Sequence, residues 1–445
     1  MADTPPPRPG IGAAVAAAER RARASLLRNH GGGHAPVSNL ELFFDLVFVF
    51  AITQISGFLH HHLGLDGLIE GAVLFLAVWW VWMYTTWVTN WLNPDRIPVR
   101  MLLISLMLGS LAMAVALPDA FAAGHEGKAL LFAGCYSAMQ LGRTALVTWF
   151  FHRDKAPNTR NMLRITCWFM ASLPLWIGGA VAGGEARLGL WLAALAIDYS
   201  GPFALYRVPG LGRSRTSDWN ISGSHMAERC SLFIIIALGE GIVVTGNAFA
   251  SQPITPASNS AFLAAFLTSV LMWWLYFDMG ADRGARMIAG HSQVGRVARN
   301  AYTYLHMPIV LGVVVFAVGD ALVMEQASGV ASRELLLVQT GGALLFLIGL
   351  GLFKRFSNTL GNFPMSHMIA VVGFVALGAT AWLTPLATLA FAHWGGAILL
   401  LAAVWEWVSY HGGWIERAEA LGLPVPRAMI ARAERRKARV EAERG

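Results

Sequence analysis

Ser38-Asn39-Leu40-Glu41-Leu42-Phe43-Phe44-Asp45-Leu46-Val47-Phe48-Val49-Phe50-Ala51-Ile52 places two carboxylates inside an apolar run that is long enough, with the residues after it, to cross a lipid bilayer. A carboxylate or guanidinium at bilayer depth costs about 2.5–3.5 kcal/mol even on the lenient insertion scale, so such a residue needs a partner or a task. A second stretch has the same character: His225-Met226-Ala227-Glu228-Arg229 leads through an apolar run to Gly239-Glu240-Gly241. Around these two segments the whole chain reads as membrane-embedded. Of 445 residues, 56% are hydrophobic and 13% charged, and the mean hydropathy is +0.53. That composition excludes an ordinary soluble domain.

Twelve apolar stretches are long enough to cross a hydrocarbon core of about 30 Å at about 1.5 Å per residue. They fall near 40–60, 68–92, 101–117, 129–151, 165–183, 188–206, 225–249, 261–279, 301–323, 335–353, 366–384 and 387–409. With both termini in the cytoplasm, the inner segments hold 28 Lys and Arg and the outer loops only Lys128, Arg187 and Arg333. This asymmetry predicts a multi-pass inner-membrane protein with both ends inside. It also accounts for the net charge of +7 without a nucleic-acid partner. The remaining bases, Arg143 and Arg229, fall within spans.

Residues 1–37 are rich in Pro, Ala and Arg and read as a disordered cytoplasmic tail; 411–445 read as a basic cytoplasmic tail able to lie on anionic lipid. Between them the chain divides at a polar linker, 210–224, into six-span units covering 38–209 and 225–410. Each unit opens on an acid-bearing helix (Glu41, Glu228), continues with Trp-x-Tyr (Trp82-Met83-Tyr84, Trp274-Leu275-Tyr276), and ends on a helix with an acid after an alanine-rich run (Asp198, Glu406). An even span count makes these parallel repeats about an axis along the membrane normal. The expected fold is all-α: about twelve transmembrane helices in two six-helix units.

Four residues advance a helix by roughly 400°, so Glu41 and Asp45 share a face of the first helix, as do His225 and Arg229 of the seventh. Glu240 returns to within about 20° of Arg229, and Glu228 borders the stripe. The polar centre expected from sequence therefore comprises Glu41, Asp45, Arg143, Asp198, His225, Glu228, Arg229 and Glu240, with acids outnumbering bases. Some acids must then be protonated, reach water or bind a cation. A structural ion-pair network through the same residues is the other reading. Arg229 and Arg143 are expected to hold the acids in place, Asp278 and Glu406 to be interfacial.

No metal, cofactor or catalytic nucleophile is expected. His60-His61-His62 reads as a solvated loop, His225-x-x-Glu228 occurs once where a dinuclear carboxylate centre needs two copies, and His306, His367 and His393 read as hydrogen-bonded core residues. Cys135, Cys167 and Cys230 read as small apolar side chains. The tryptophans are assigned to packing and interfacial anchoring, and Gly349-Leu350-Gly351 to a close helix contact.

Glu41-Leu-Phe-Phe-Asp45-Leu-Val-Phe-Val-Phe-Ala, His225-x-x-Glu228-Arg229-x-x-Leu-Phe-Ile-Ile-Ile-Ala-Leu-Gly-Glu240 and the Trp-Trp-Leu-Tyr-Phe-Asp278 run resemble the bacterial low temperature requirement A family over most of residues 38–410. The resemblance implies a multi-pass inner-membrane protein linked to growth in the cold, and supplies no catalytic residue. The functional expectation is a proton- or cation-coupled transporter or channel with a path between helices 1 and 7, with membrane lipids as surroundings and a homo-oligomer as an allowed assembly. The rivals are an intramembrane enzyme using His225 and Glu228 on a lipid or quinone, and a structural or regulatory scaffold.

Overall fold

A computed structural model describes residues 25–28, 36–154, 156, 158–216, 219, 221–357 and 362–411, together with 422, 424, 430–431 and 434–435. Among these residues the fold is helical, with isolated β-bridges and no strand. The long helices are α1 (Asn39–His61), α2 (Leu65–Trp91), α3 (Ile97–Ala116), α4 (Glu126–Arg153), α5 (Thr159–Ala182), α6 (Gly184–Ser200), α7 (Gly223–Ala250), α8 (Pro256–Tyr276), α9 (His306–Glu325), α10 (Arg333–Ser357), α11 (Met365–Leu383) and α12 (Thr388–His411). Between α8 and α9 the chain passes through two short helices and two wide π-type turns.

Each of the twelve apolar stretches coincides with one long helix. Among the described residues ten helical segments are long and apolar enough to cross a membrane, and α4 and α6 are not among them. The physical reasons are local. α4 carries Glu126, Lys128, Arg143 and Arg153, and α6 has 17 residues with Glu185, Arg187 and Asp198 among them. The sequence carries the sixth stretch to 206, but the helix stops at Ser200, because Gly201-Pro202 follows and proline cannot supply the next N–H. The chain then turns through Leu205 and Tyr206, both at positive φ.

Caps set the starts. Ser38 and Glu41 form a reciprocal capping box on α1, Thr255 and Ser258 one on α8, and Ser222 caps α7. α5 and α6 are joined through Gly183 and Gly184 at φ +70° and +51°, a turn that side-chain-bearing residues rarely adopt.

Helix pairing follows one order in both halves. α1 packs on α2 and α3, and α7 on α8 and α9; α3 to α6 pack in sequence, as do α9 to α12; α2 meets α6 as α8 meets α12. The halves join where α1 and α2 meet α7 and α9, and one apolar cluster from Leu26 to Ala403 runs through both. α2 and α9 are the most buried helices. α9 lies backbone-close to α10: a Cβ at Gly312 would strike the backbone of Phe346, and one at Gly342 that of Phe316. Gly349 abuts Ile309 and Pro308 of α9, the close helix contact expected, whereas Gly351 abuts the ring of Phe363 in the segment before α11.

The outward faces carry Phe43, Leu46, Leu108, Val372, Leu383 and Trp394, all more than half exposed, while the charged faces of α1 and α7 point inward. This inversion of the soluble pattern belongs to a multi-pass membrane protein, in which lipid solvates the apolar outside.

Candidate functional site

Glu41 does two things at once. Its Oε2 accepts from the Ser38 N–H at 2.8 Å and the Ser38 hydroxyl at 2.9 Å, closing the first turn of α1, while its Oε1 lies 2.8 Å from His225 Nε2 on α7. Asn90, near the end of α2, fixes the imidazole. Its Oδ1 accepts from Ser222 N at 2.7 Å and its Nδ2 donates to Ser222 O at 2.9 Å, so Nδ2 is also the donor to His225 Nδ1 at 3.2 Å. His225 Nε2 thus lies 2.8 Å from Glu41 Oε1 and 3.0 Å from Arg28 Nη1. Arg28 adds its charge from outside α1, with Nη1 3.5 Å from Glu41 Oε1 and 3.0 Å from Thr89 O.

One turn farther, Asp45 is held on both oxygens. Trp82 Nε1 donates to Oδ1 at 2.8 Å, and Arg229 Nη1 donates to Oδ2 at 2.7 Å and to Glu41 O at 2.9 Å. The guanidinium lies 5.6 Å from the Trp82 ring centre. Glu41, Asp45, His225 and Arg229 are each at most 2% exposed. The acids of this layer are thus buried against bases, and the spacing on α1 and α7 brings together Glu41, Asp45, His225 and Arg229. Glu228 is half-buried at the margin of the same face.

Three turns beyond Arg229, Glu240 lies on the same buried face of α7. Thr53 of α1 donates to its Oε2 at 2.7 Å, and its Oε1 has no hydrogen-bond partner. Gly241, next to it, faces Ala317 of α9 and Ser269 of α8. On α9 is Asp320, 3% exposed, accepting from Gln339 Nε2 at 2.9 Å and from the Thr268 hydroxyl at 3.5 Å. Neither carboxylate forms an ion pair among the described residues. Elsewhere on α1, α7 and α10, Ser56, Thr245 and Thr340 carry buried hydroxyls without partners.

Two of the eight residues named from sequence lie elsewhere. Asp198 is held within the first half, where Tyr136 donates at 2.7 Å and Trp176 at 3.1 Å to Oδ2, leaving Oδ1 unpaired. Arg143 holds no acid: it donates to Val81 O and Thr85 Oγ1, both at 3.1 Å, and to Gln140, and it stacks on Tyr84. Helical spacing fixes a face but not the neighbour it meets, and α4 faces α2 at this level.

Other expectations also shift. Arg187, counted as an outer-loop base, is buried at 2% exposure and donates to the carbonyls of Ala120, Gly179 and Ala180. Lys354, counted with an inner loop, lies in α10 and binds Glu406 of α12 at 2.7 Å and Leu275 O of α8 at 2.7 Å. Asp278 is exposed. Ser25 to Arg28 belong to the tail read as disordered, yet Leu26 N donates to Asp154 at 3.0 Å and Leu26 is buried; most of that tail, and of 411–445, lies outside the described residues. His60 pairs with Glu325 at 3.1 Å, and His306 lies between Tyr276 OH at 2.9 Å and Ala301 O at 2.8 Å. Sequence reasoning passed over Asp320, although an aspartate after Gly319 in the most apolar span was signal enough.

Residues 36–404 match the family described as bacterial low temperature requirement A protein. A protein of Rhizobium meliloti (strain 1021), named as uncharacterized, is 40% identical over 385 residues, which is 86% of this chain and 92% of the relative. No solved structure matches.

Proposed function

This chain belongs to the bacterial low temperature requirement A family, and we propose that it is a proton- or small-cation-coupled transporter of the inner membrane. Glu240 and Asp320 form the titrating or ion-binding part of a path beside α1, α7 and α9. The observation that carries this reading is that both carboxylates are at most 3% exposed in apolar helices and are met only by hydroxyl and amide donors. A buried carboxylate without a cation must hold a proton or attract one. The layer at the start of α1 and α7 clamps the halves together at the inner end of the path, and the cold-growth link named by the family enters through transport across this bundle.

In this reading all twelve helices cross, both termini are cytoplasmic, and the halves are parallel repeats. Matched bonds favour the repeat. Arg143 of α4 donates to Val81 O of α2, one residue before Trp82-Met83-Tyr84; Lys354 of α10 donates to Leu275 O of α8, within Trp274-Leu275-Tyr276. The fourth and sixth helices are likewise tied through Tyr136–Asp198 and Lys354–Glu406. The enzyme alternative needs a free acid/base pair at His225 and Glu228, but both imidazole nitrogens are already engaged, by Glu41 and Asn90.

Purified protein in liposomes should pass protons or a monovalent cation in a pH- or cation-dependent manner, and Glu240→Gln should abolish that flux while the protein remains folded. Undiminished flux in this variant removes the assignment.

A further inference from the structure

A threonine has one hydroxyl hydrogen to give, and each of the two threonines beside the uncharged acids has two acceptors in reach. Thr53 Oγ1 lies 3.1 Å from Val49 O in its own helix and 2.7 Å from Glu240 Oε2 on α7. Thr268 Oγ1 lies 2.9 Å from Ala265 O in its own helix and 3.5 Å from Asp320 Oδ2 on α9. With the acids ionised, only one of the two bonds can form at each threonine. With the acids protonated both can, the carboxyl donating to the threonine oxygen and the threonine to its helix carbonyl.

The second oxygen of each acid fixes where its hydrogen sits. Gln339 Nε2 donates to Asp320 Oδ1 at 2.9 Å, which marks Oδ1 as the carbonyl oxygen and leaves the O–H to Oδ2, beside Thr268. Glu240 Oε1 has no hydrogen-bond partner, so its O–H falls on Oε2, beside Thr53. The packed helices bring nothing charged: α1 offers Thr53, α8 Thr268 and α10 Gln339, and among the described residues no base or second acid of α1, α2, α8, α10 or α12 faces either carboxyl. Glu325, five residues after Asp320, is exposed and pairs with His60 at 3.1 Å. Two carboxylates here would be buried charges met by neutral groups alone, whereas two neutral acids each have an acceptor for their hydrogen. A hard metal cation needs several oxygens gathered about one point, and among the described residues no three His, Cys, Asp or Glu side chains are grouped to hold one.

We propose that the ion of this path is the proton and that the structure is its loaded state, with one hydrogen on Glu240 Oε2 and one on Asp320 Oδ2. Release breaks one O–H bond and hands the proton to water at the mouth of the path. The carboxylate left behind then takes the threonine hydrogen, so the Thr53 and Thr268 bonds reverse direction in each cycle. The identity of the transported ion rests on the transport reading above; the protonation of the two acids does not.

Infrared difference spectra of the full-length protein in phosphatidylcholine nanodiscs at neutral pH, unmodified against Glu240→Gln and against Asp320→Asn, test the protonation. Each variant should lose one carboxylic-acid C=O band and no carboxylate band. Thr53→Val should move the Glu240 band to higher frequency while Thr53→Ser leaves it in place, and Thr268→Val should move the Asp320 band likewise. Loss of carboxylate bands instead overturns the proposal, and a band unmoved by the valine variants overturns the bonds to threonine on which it stands. Proteoliposomes test the ion. Under an imposed pH gradient, with tetraphenylphosphonium as the compensating charge and sodium, potassium and lithium all omitted, the unmodified protein should still move protons. Flux of one of those metals with no change of internal pH overturns the proton as the ion. Absence of any flux sinks the transport reading itself, and the infrared bands still decide the protonation. Should an acid variant not fold, the threonine variants and the metal-free flux of the unmodified protein decide.

Discussion

Asp45 and Asp320 are both aspartates in apolar helices, 2% and 3% exposed, yet they sit in opposite electrostatic situations. Asp45 has a guanidinium at 2.7 Å and an indole N–H at 2.8 Å, with Glu41, His225 and Arg28 completing a charged layer one turn away. Asp320 has an amide at 2.9 Å and a hydroxyl at 3.5 Å, and its neighbour in kind, Glu240, has one hydroxyl. The same side chain can thus serve as a clamp or as a titrating group, depending on whether a neighbouring helix brings a cation to it. The charged layer ties α1, α2 and α7, each of which contributes at least one partner. In the uncharged layer the carboxylates are met by hydroxyl and amide donors alone, Thr53 for Glu240 and Thr268 and Gln339 for Asp320.

The sharpest way to break this contrast is to remove a base from the charged layer. Arg229→Met should destabilise the protein by about 3–5 kcal/mol, because it strands a buried Asp45. Chemical denaturation in detergent would measure the loss, and adding Asp45→Leu should recover most of it. Recovery is the informative half, since a role for Arg229 in packing alone would leave the double variant as unstable as the single. Asp45→Asn keeps the size and the Trp82 bond but leaves Arg229 uncompensated. About 1.5–3 kcal/mol should be lost, on the scale of a hydrogen bond to a charged group. Thr53→Val removes the donor that meets Glu240 and should cost about 1 kcal/mol, with a shifted pH dependence of liposome flux as the second readout. Asp320→Asn is the smallest in stability, within about 1 kcal/mol, because an amide retains hydrogen bonds to Gln339 and Thr268; its effect should fall on flux instead. Equal losses in Asp45→Asn and Asp320→Asn would erase the distinction between the two layers.

Much of the charged layer was legible in the residues themselves. Glu41 and Asp45 four apart, and His225 and Arg229 four apart, could only share faces, and a charged face in lipid can only turn inward. Their partners were not legible. Trp82 looked like one of many packing tryptophans until α2 was placed against α1 and α7, and Asn90 and Arg28 come from a helix end and a tail. Arg143 illustrates the same limit in reverse. From sequence it is a base expected to hold the acids, but α4 lies against α2, and the Val81 carbonyl and the Thr85 hydroxyl, both at 3.1 Å, meet it instead. Lys354 and Arg187 fall just outside the apolar stretches, at 354 after 335–353 and at 187 before 188–206, and so count as loop bases from sequence. Both are buried, solvated by backbone carbonyls or by Glu406.

The sequence by itself determined that the chain is an all-helical membrane protein, where its twelve long helices lie, and which faces of α1 and α7 carry charge, because hydrophobic length and the 3.6-residue period are local properties. Which carboxylates would be neutralised and which left without a base was decided only by tertiary structure. That outcome depends on what a neighbouring helix presents within about 3 Å, which is the range over which a buried charge is solvated or not. No spacing along a single helix encodes it.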